Sequence, residues 1–264
     1  MKIVDGFMFY NELNMLGYRL ELLNPAVDKF ILVESRHTHA GKEKPLFFQE
    51  NKELFKKYEN KIIHIIVDDF PHIYPNIIIE NDEQWENEKF QRDCIARGLA
   101  KLDLQDDDII IISDLDEIPD PYLLIDLKRT NQKITINSLE QDFYYYNLIT
   151  KMKEKWYMAK LIGYSTYTRL NLTCSKIRHY TECSFVYPGG WHLSYFGNPK
   201  FIQNKLQNFA HQEYNTQEIT DLNSIEQHIR NTTDLLGRKI EFQRVPLLEN
   251  KYLPPLYQKL IICL

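Results

Sequence analysis

Three carboxylates fall within the four residues Asp114-Leu115-Asp116-Glu117, and like charges crowded this closely repel unless a ligand or cation neutralises them. An Asp-x-Asp pair offers oxygen donors to a hard divalent cation, and a metal-bound phosphate is the natural partner of such a site. Much later, Gly189-Gly190-Trp191-His192 brings an imidazole nitrogen for a metal, an indole face for a sugar ring and two glycines that let backbone approach a ligand. Asp114, Asp116 and His192 are the expected metal ligands, with Asp114 also able to support a ribose. Solvated turn acids and a packed Trp-His corner are the competing accounts.

Two other acid-bearing patterns do not fit. A phosphate loop would have to be Arg36 to Glu43, which lacks the first Gly and the final Ser or Thr. An aspartate-nucleophile phosphatase would carry its Asp-x-Asp early in the chain with Thr or Val two residues on, whereas here Ile118 follows, far from the N-terminus.

The elements that position these residues follow from local pattern. Four consecutive isoleucines, Ile109–Ile112, are too short and too β-branched for a helix and suit a strand buried on both faces of a parallel sheet. Pro119 and Pro121 stop its ladder. The acids then lie at a carboxyl end, the edge where open α/β sheets bind ligands, and Asp106–Asp108 at the other end read as a solvated turn. Ile3–Met8 predicts a strand, Leu13, Leu16, Leu20 and Leu23 a helix ended by Asn24-Pro25, and Phe30–Val33 a second strand. This β-α-β start is that of a nucleotide-binding domain. It delivers Glu34 to a strand end, to meet a ribose or base or to cap the next loop.

Ile62–Val67 is a third strand, and Asp82–Leu102 reads as one helix whose Arg92 reaches a pyrophosphate or the acid cluster, or forms a surface ion pair. In the loop after Glu34, His37 and His39 point to opposite sides if extended, which argues against joint metal binding. The half from Ile134 to Ile162 is β-rich, with Glu140 and Asp142 on one face. Helices are expected over Ile202–Tyr214, carrying Lys205, His211 and Glu213, and over Thr220–Arg238. The predicted organisation is an α/β domain over 1–215 with a helical extension, 216–264, packed on it.

The 264 residues suffice for a full core, and the net charge of −5 with a pI near 5.9 argues against nucleic acid or an anionic membrane as the main partner. No stretch has the length of a transmembrane helix. Cys94, Cys174, Cys183 and Cys263 form no Cys-x-x-Cys pair, and Cys94 falls on the apolar face of its helix. Asn171-Leu172-Thr173 and Asn231-Thr232-Thr233 match glycosylation sequons.

Taken in order, Phe9-Tyr10-Asn11-Glu12-Leu13, Val33-Glu34-Ser35 with His39 to Pro45, Val67-Asp68-Asp69-Phe70-Pro71, Gln91-Arg92-Asp93, Ile112-Ser113-Asp114-Leu115-Asp116-Glu117-Ile118-Pro119, Glu140 to Tyr146, Gly190 to Phe196 and Lys205-Leu206-Gln207 with His211 to Tyr214 resemble glycosyltransferase family 17, the family of the bisecting N-acetylglucosaminyltransferases. The resemblance implies a GT-A-like nucleotide-sugar-binding domain, α/β with a central mixed, mostly parallel sheet flanked by helices. It also implies a UDP-GlcNAc donor, Mn²⁺ or Mg²⁺, a glycan acceptor and inversion at the anomeric carbon. Glu34, Arg92, Asp114, Trp191 and Lys205 become the expected donor-binding residues. Animal Golgi members carry a membrane anchor and stem ahead of this region. Without them the expectation is a cytoplasmic, bacterial or viral-type protein, in the Golgi lumen only if an anchor is missing from this chain.

In that reaction a divalent cation between Asp116 and the diphosphate stabilises the leaving group, and a separate carboxylate, Glu213 or Asp142, takes the acceptor proton. A metal-dependent phosphohydrolase and a non-enzymatic carbohydrate-binding protein are the alternatives.

Overall fold

The computed structural model describes residues 1–262; Cys263 lies outside them. The chain opens with β1 (Ile3–Phe9), α1 (Leu13–Leu23), β2 (Lys29–Ser35), α2 (Phe47–Asn51) and β3 (Ile62–Val67). Next come α3 (Glu83–Asp93), α4 (Ile95–Leu99), β4 (Ile109–Asp114), β5 (Glu117–Pro119) and α5 (Pro121–Thr130). The middle holds β6 (Ile136–Leu139), β7 (Asp142–Tyr145), β8 (Thr150–Met152), β9 (Lys160–Gly163), α6 (Tyr164–Leu170) and α7 (Cys174–Arg178). The last part is β10 (Ser184–Val186), β11 (Gly190–Ser194), α8 (Pro199–Asn208), α9 (Leu222–Asn231), β12 (Phe242–Arg244) and α10 (Gln258–Ile262).

A seven-stranded sheet runs in the order β10-β6-β9-β4-β1-β2-β3. Strands β4, β1, β2 and β3 are parallel, β10 is parallel to β6, and β9 is antiparallel to both β4 and β6. This is the expected mixed, mostly parallel sheet, and with helices on its faces it is compatible with the GT-A-like class. The isoleucine run divides by the period of the strand. Ile109 and Ile111 pack with Leu16, Leu20 and Leu23 of α1, while Ile110 and Ile112 pack with Ile95 and Leu99 of α4.

Two local expectations are corrected. The helix expected over Asp82–Leu102 is two helices, broken at Cys94, and α4 lies so close to β2 that a Cβ on Gly98 would come within 2.4 Å of Ile31. In the acidic turn before β4, Asp108 is buried and accepts from the Gln105 backbone N–H at 2.8 Å, so it ties the turn together.

A second sheet, ordered β12-β8-β7-β11-β5, leans against the first. Strand β11 is parallel to β7 and antiparallel to β5, which places His192 opposite Glu117. The Leu193 N–H also donates to the Asp116 carbonyl at 2.8 Å. The glycines before it serve this junction. Gly190 has φ +116°, and a Cβ there would stand 2.1 Å from the Ile118 carbonyl oxygen. The close approach is thus to the chain's own backbone and not to a ligand.

Candidate active site

A cavity of about 610 Å³ opens where the carboxyl ends of β1, β2 and β4 face the second sheet. Six lysines and arginines line it against four carboxylates: Lys44, Lys89, Arg92, Arg178, Lys205 and Arg238 against Glu12, Glu88, Asp114 and Asp116. The wall is locally cationic in a chain whose net charge is −5.

The acid loop is held from below by Arg19, which α1 buries completely among its leucines. Its guanidinium pairs with Asp5 at 2.6 and 2.8 Å and donates to the Ser113 hydroxyl at 2.6 Å. It also donates to the carbonyls of Asp114, Leu115 and Glu117 at 2.8, 3.0 and 2.9 Å. Glu117, fully buried, accepts two bonds of 2.6 Å from Arg178, one from the Trp156 indole N–H and one of 2.8 Å from the Asp114 backbone N–H. The third acid of the cluster is thus a strut.

Asp114 stands between two guanidinium groups, Arg92 at 3.1 Å and Arg178 at 2.8 Å. Burial alone would raise its carboxyl, but Arg178 and Arg92 overcome this and bring it down to about 2. Asp116 lies 3.1 Å from the Lys205 ammonium and 3.6 Å from His192 Nε2. There too burial is outweighed, by Lys205 and then His192, and the carboxyl is held well below the usual carboxylate range. Glu12 is the second partner of Lys205, at 3.7 Å. The His192 ring stacks on Phe143 at 4.4 Å and packs against Trp156 at 4.5 Å, with Nδ1 buried and unpartnered among the described residues.

Asp114, Asp116, His192, Arg92 and Lys205 therefore meet on one cavity wall. The other expected site residues do not. Glu34 is buried away from the cavity, where it accepts from the Phe48 N–H at 2.8 Å at the start of α2 and bonds His64 at 3.0 Å, so it caps rather than binds. Trp191 faces the opposite side of β11 from His192, its indole donating to the Tyr252 carbonyl at 3.0 Å and its ring stacking on Tyr252. Asp142 is buried between Lys151 and Lys155 and does not line the cavity. Glu213 is 52% exposed and bonds His211 at 2.6 Å beside the rim. The aromatic residues lining the cavity include instead Phe143, Tyr145, Trp156 and Tyr195, Trp85 and Phe209, and Phe9 and Tyr10.

Sequence reasoning missed Arg178, which sits in a segment without motif, and Arg19, for which a signal exists: an arginine on the leucine face of an amphipathic helix needs a buried partner. Among the described residues no cluster of three or more His, Cys, Asp and Glu side chains could hold a metal ion by itself. Asp116 and His192 supply two converging donors, a set that fits a cation completed by phosphate oxygens and water. Among the described residues no helix is long and apolar enough to cross a membrane.

Curated relatives include β-1,4-mannosyl-glycoprotein 4-β-N-acetylglucosaminyltransferase from Rattus norvegicus and from Homo sapiens, each 29% identical over 122 residues. The enzyme of that name from Mus musculus is 28% identical over the same length. Each alignment spans 45% of this chain and 22% of the relative, so the chain matches about a fifth of their length. The cytoplasmic expectation is corrected by these relatives, which are animal Golgi glycosyltransferases and point to the Golgi lumen rather than to a cytoplasmic bacterial or viral-type protein. A family model described as glycosyltransferase family 17 matches residues 1–243, from β1 through both sheets and the whole cavity wall, and the chain belongs to that family.

Proposed function

We propose that the chain transfers N-acetylglucosamine from UDP-GlcNAc to a hydroxyl of a glycan acceptor, with inversion, and with a divalent cation held by Asp116, His192 and the diphosphate. The observation that carries the reading is the cationic cavity at the carboxyl ends of β1, β2 and β4, six basic groups against four acidic ones around the Asp114/Asp116 pair. An anion is what such a wall selects, and a nucleotide sugar is the anion that suits a glycosyltransferase. The choice of donor sugar rests on the names of the relatives.

When bound, the cation supplies Lewis-acid neutralisation of the leaving diphosphate. Lys205 and Arg178 add fixed positive charge where that group gathers its electrons, at no reorganisation cost because Asp116, Asp114 and Glu117 already hold them. Trp156, Tyr145 and Tyr195 offer ring faces to the sugars and exclude water. The acceptor hydroxyl attacks the face opposite the diphosphate and must lose its proton to a wall carboxylate. Apart from the Asp pair these are Glu12 and Glu88. Glu88 is tied to Arg92 at 2.6 Å while Glu12 is 3.7 Å from Lys205, which favours Glu12. Residues 216–264 are read as an extension of the same domain, since β12 joins β8 and both Leu236 and Arg238 reach the cavity.

The test is UDP release from a panel of UDP-sugars, in Mn²⁺ or EDTA, with and without glycan acceptors. Acceptor-dependent turnover best with UDP-GlcNAc, lost in EDTA and in Asp116→Ala, is the expected result. Equal turnover of UDP-glucose or UDP-galactose sinks the donor assignment, and full turnover by Asp116→Ala sinks the metal site. Release of phosphate without an acceptor would favour a phosphohydrolase, and sugar binding indifferent to metal and to Asp116 would favour a binding protein.

A further inference from the structure

The loop after β2 brings one imidazole to the cavity in a fixed chemical form. Gln91, buried on α3, donates from its amide nitrogen to the carbonyl of Val33, near the end of β2, at 2.9 Å and to that of Phe9, the last residue of β1, at 3.4 Å. Both amide hydrogens are thereby committed, and only Oε1 is left to face His39 Nε2, 2.8 Å away. An oxygen there accepts, so Nε2 carries the hydrogen and Nδ1 carries the lone pair. The loop is fixed as well, because buried Asn87 donates to the His39 carbonyl at 3.0 Å. Burial keeps the ring from protonating, against the pull of Glu88, with Gln91, Arg92 and Asp114 also acting on it. The result is a pre-set acceptor on the cavity wall with no protein donor at Nδ1 among the described residues.

We propose that His39 Nδ1 is a specificity-determining acceptor for an N–H or O–H of the donor's nucleoside, an inference that rests on the nucleotide-sugar reading above. A lone pair does not bind phosphate oxygens, which are themselves acceptors. The order of the sheet edge supplies the rest: His39 follows β2, the acids follow β4 on the far side of β1, and His192 lies beyond them on the second sheet. A diphosphate over the acids and Lys205 therefore directs the nucleoside toward β2 and the sugar toward the aromatic wall. Two donors of a uridine nucleotide satisfy the site, the base imide N–H and a ribose hydroxyl.

Calorimetric titration in magnesium buffer decides it, using UDP, N3-methyl-UDP, 2′-deoxy-UDP and 3′-deoxy-UDP against wild type, His39→Ala and His39→Asn. Loss of one neutral hydrogen bond predicts that His39→Ala binds UDP about 3- to 10-fold more weakly. The asparagine variant, whose amide oxygen falls near the Nδ1 position, should recover part of that loss. One analogue should bind wild type and His39→Ala equally: N3-methyl-UDP if the base is read, a deoxy analogue if the ribose is. An alanine variant that binds UDP as wild type does, or that weakens UDP and every analogue alike, overturns the proposal while leaving the nucleotide reading intact. Failure of wild type to bind UDP overturns both.

Discussion

Replacing Arg19 by Met tests the support of the acid loop. The substitution keeps the apolar stem beside Phe7, over whose ring the guanidinium carbon now sits at 4.7 Å, and removes the charge and its donors. Asp5, with 0% exposure, is left without its partner at 2.6 Å, and the carbonyls of Asp114, Leu115 and Glu117 lose their shared donor. Breaking a buried ion pair from one side costs about 3–5 kcal/mol, which in a domain of this size lowers Tm by roughly 6–20 °C. Urea unfolding of Arg19→Met, Asp5→Leu and the double variant measures this. The double variant should lose less than the sum of the singles by roughly 2–3 kcal/mol, because it removes both charges and strands only the carbonyls. A loss under about 1 kcal/mol in Arg19→Met, or strict additivity in the cycle, refutes the view that this pair anchors the loop.

Acid titration gives a second expectation. Asp114 titrates at about 2 in the folded chain and near its ordinary value of 3.8 when unfolded, so its contribution is complete above that range and disappears as pH falls through 2. Melting temperature should hold from pH 7 to 5 on this account and decline below about 4; a flat profile down to pH 2 would show that the two arginines do not stabilise the carboxylate. His192→Ala should weaken Mn²⁺ binding about 10-fold or more, with partial rescue of activity by excess metal, whereas a lowered Tm at unchanged Mn²⁺ affinity would leave the ring as packing for Phe143 and Trp156. Asp142→Asn should keep turnover within about twofold while lowering stability by about 1 kcal/mol, since both of its lysine partners reach solvent; collapse of turnover in a folded variant would restore it as the base.

What the chain discloses by itself follows from the range of its interactions. Strands β1 to β4 of the first sheet are largely local apolar runs, and Ile109–Ile112, short and β-branched, suits a strand buried on both faces. The second sheet is hard to see because its strands are three to five residues long and pair across distance, as Glu117 does with His192. The same range decides the site. Asp116, Lys205 and His192 are chemically conspicuous, and each ends on the cavity wall. Trp191 is equally conspicuous, yet strand alternation forbids it and His192 from sharing a face. Asp142 and Glu34 carry the right charge, but their roles are set by Lys151, Lys155 and the start of α2, none of which the acids themselves reveal. Arg178 reaches Glu117 from 61 residues away, and no local pattern encodes that meeting.

The pinning of β11 to β5 at Gly190 has a consequence in time. Strand β11 lies far along the chain, so during synthesis it emerges well after β1, α1 and β4. Arg19 can meet the acid loop as soon as β1, α1 and β4 have come together, so the loop takes shape before His192 reaches it. During synthesis the chain therefore passes a point at which β1 to β4 have emerged and the second sheet is still incomplete. A ligand that relied on His192 would have no hold on that early stage. It would instead slow the unfolding of the finished protein, lengthening its life without hastening its birth.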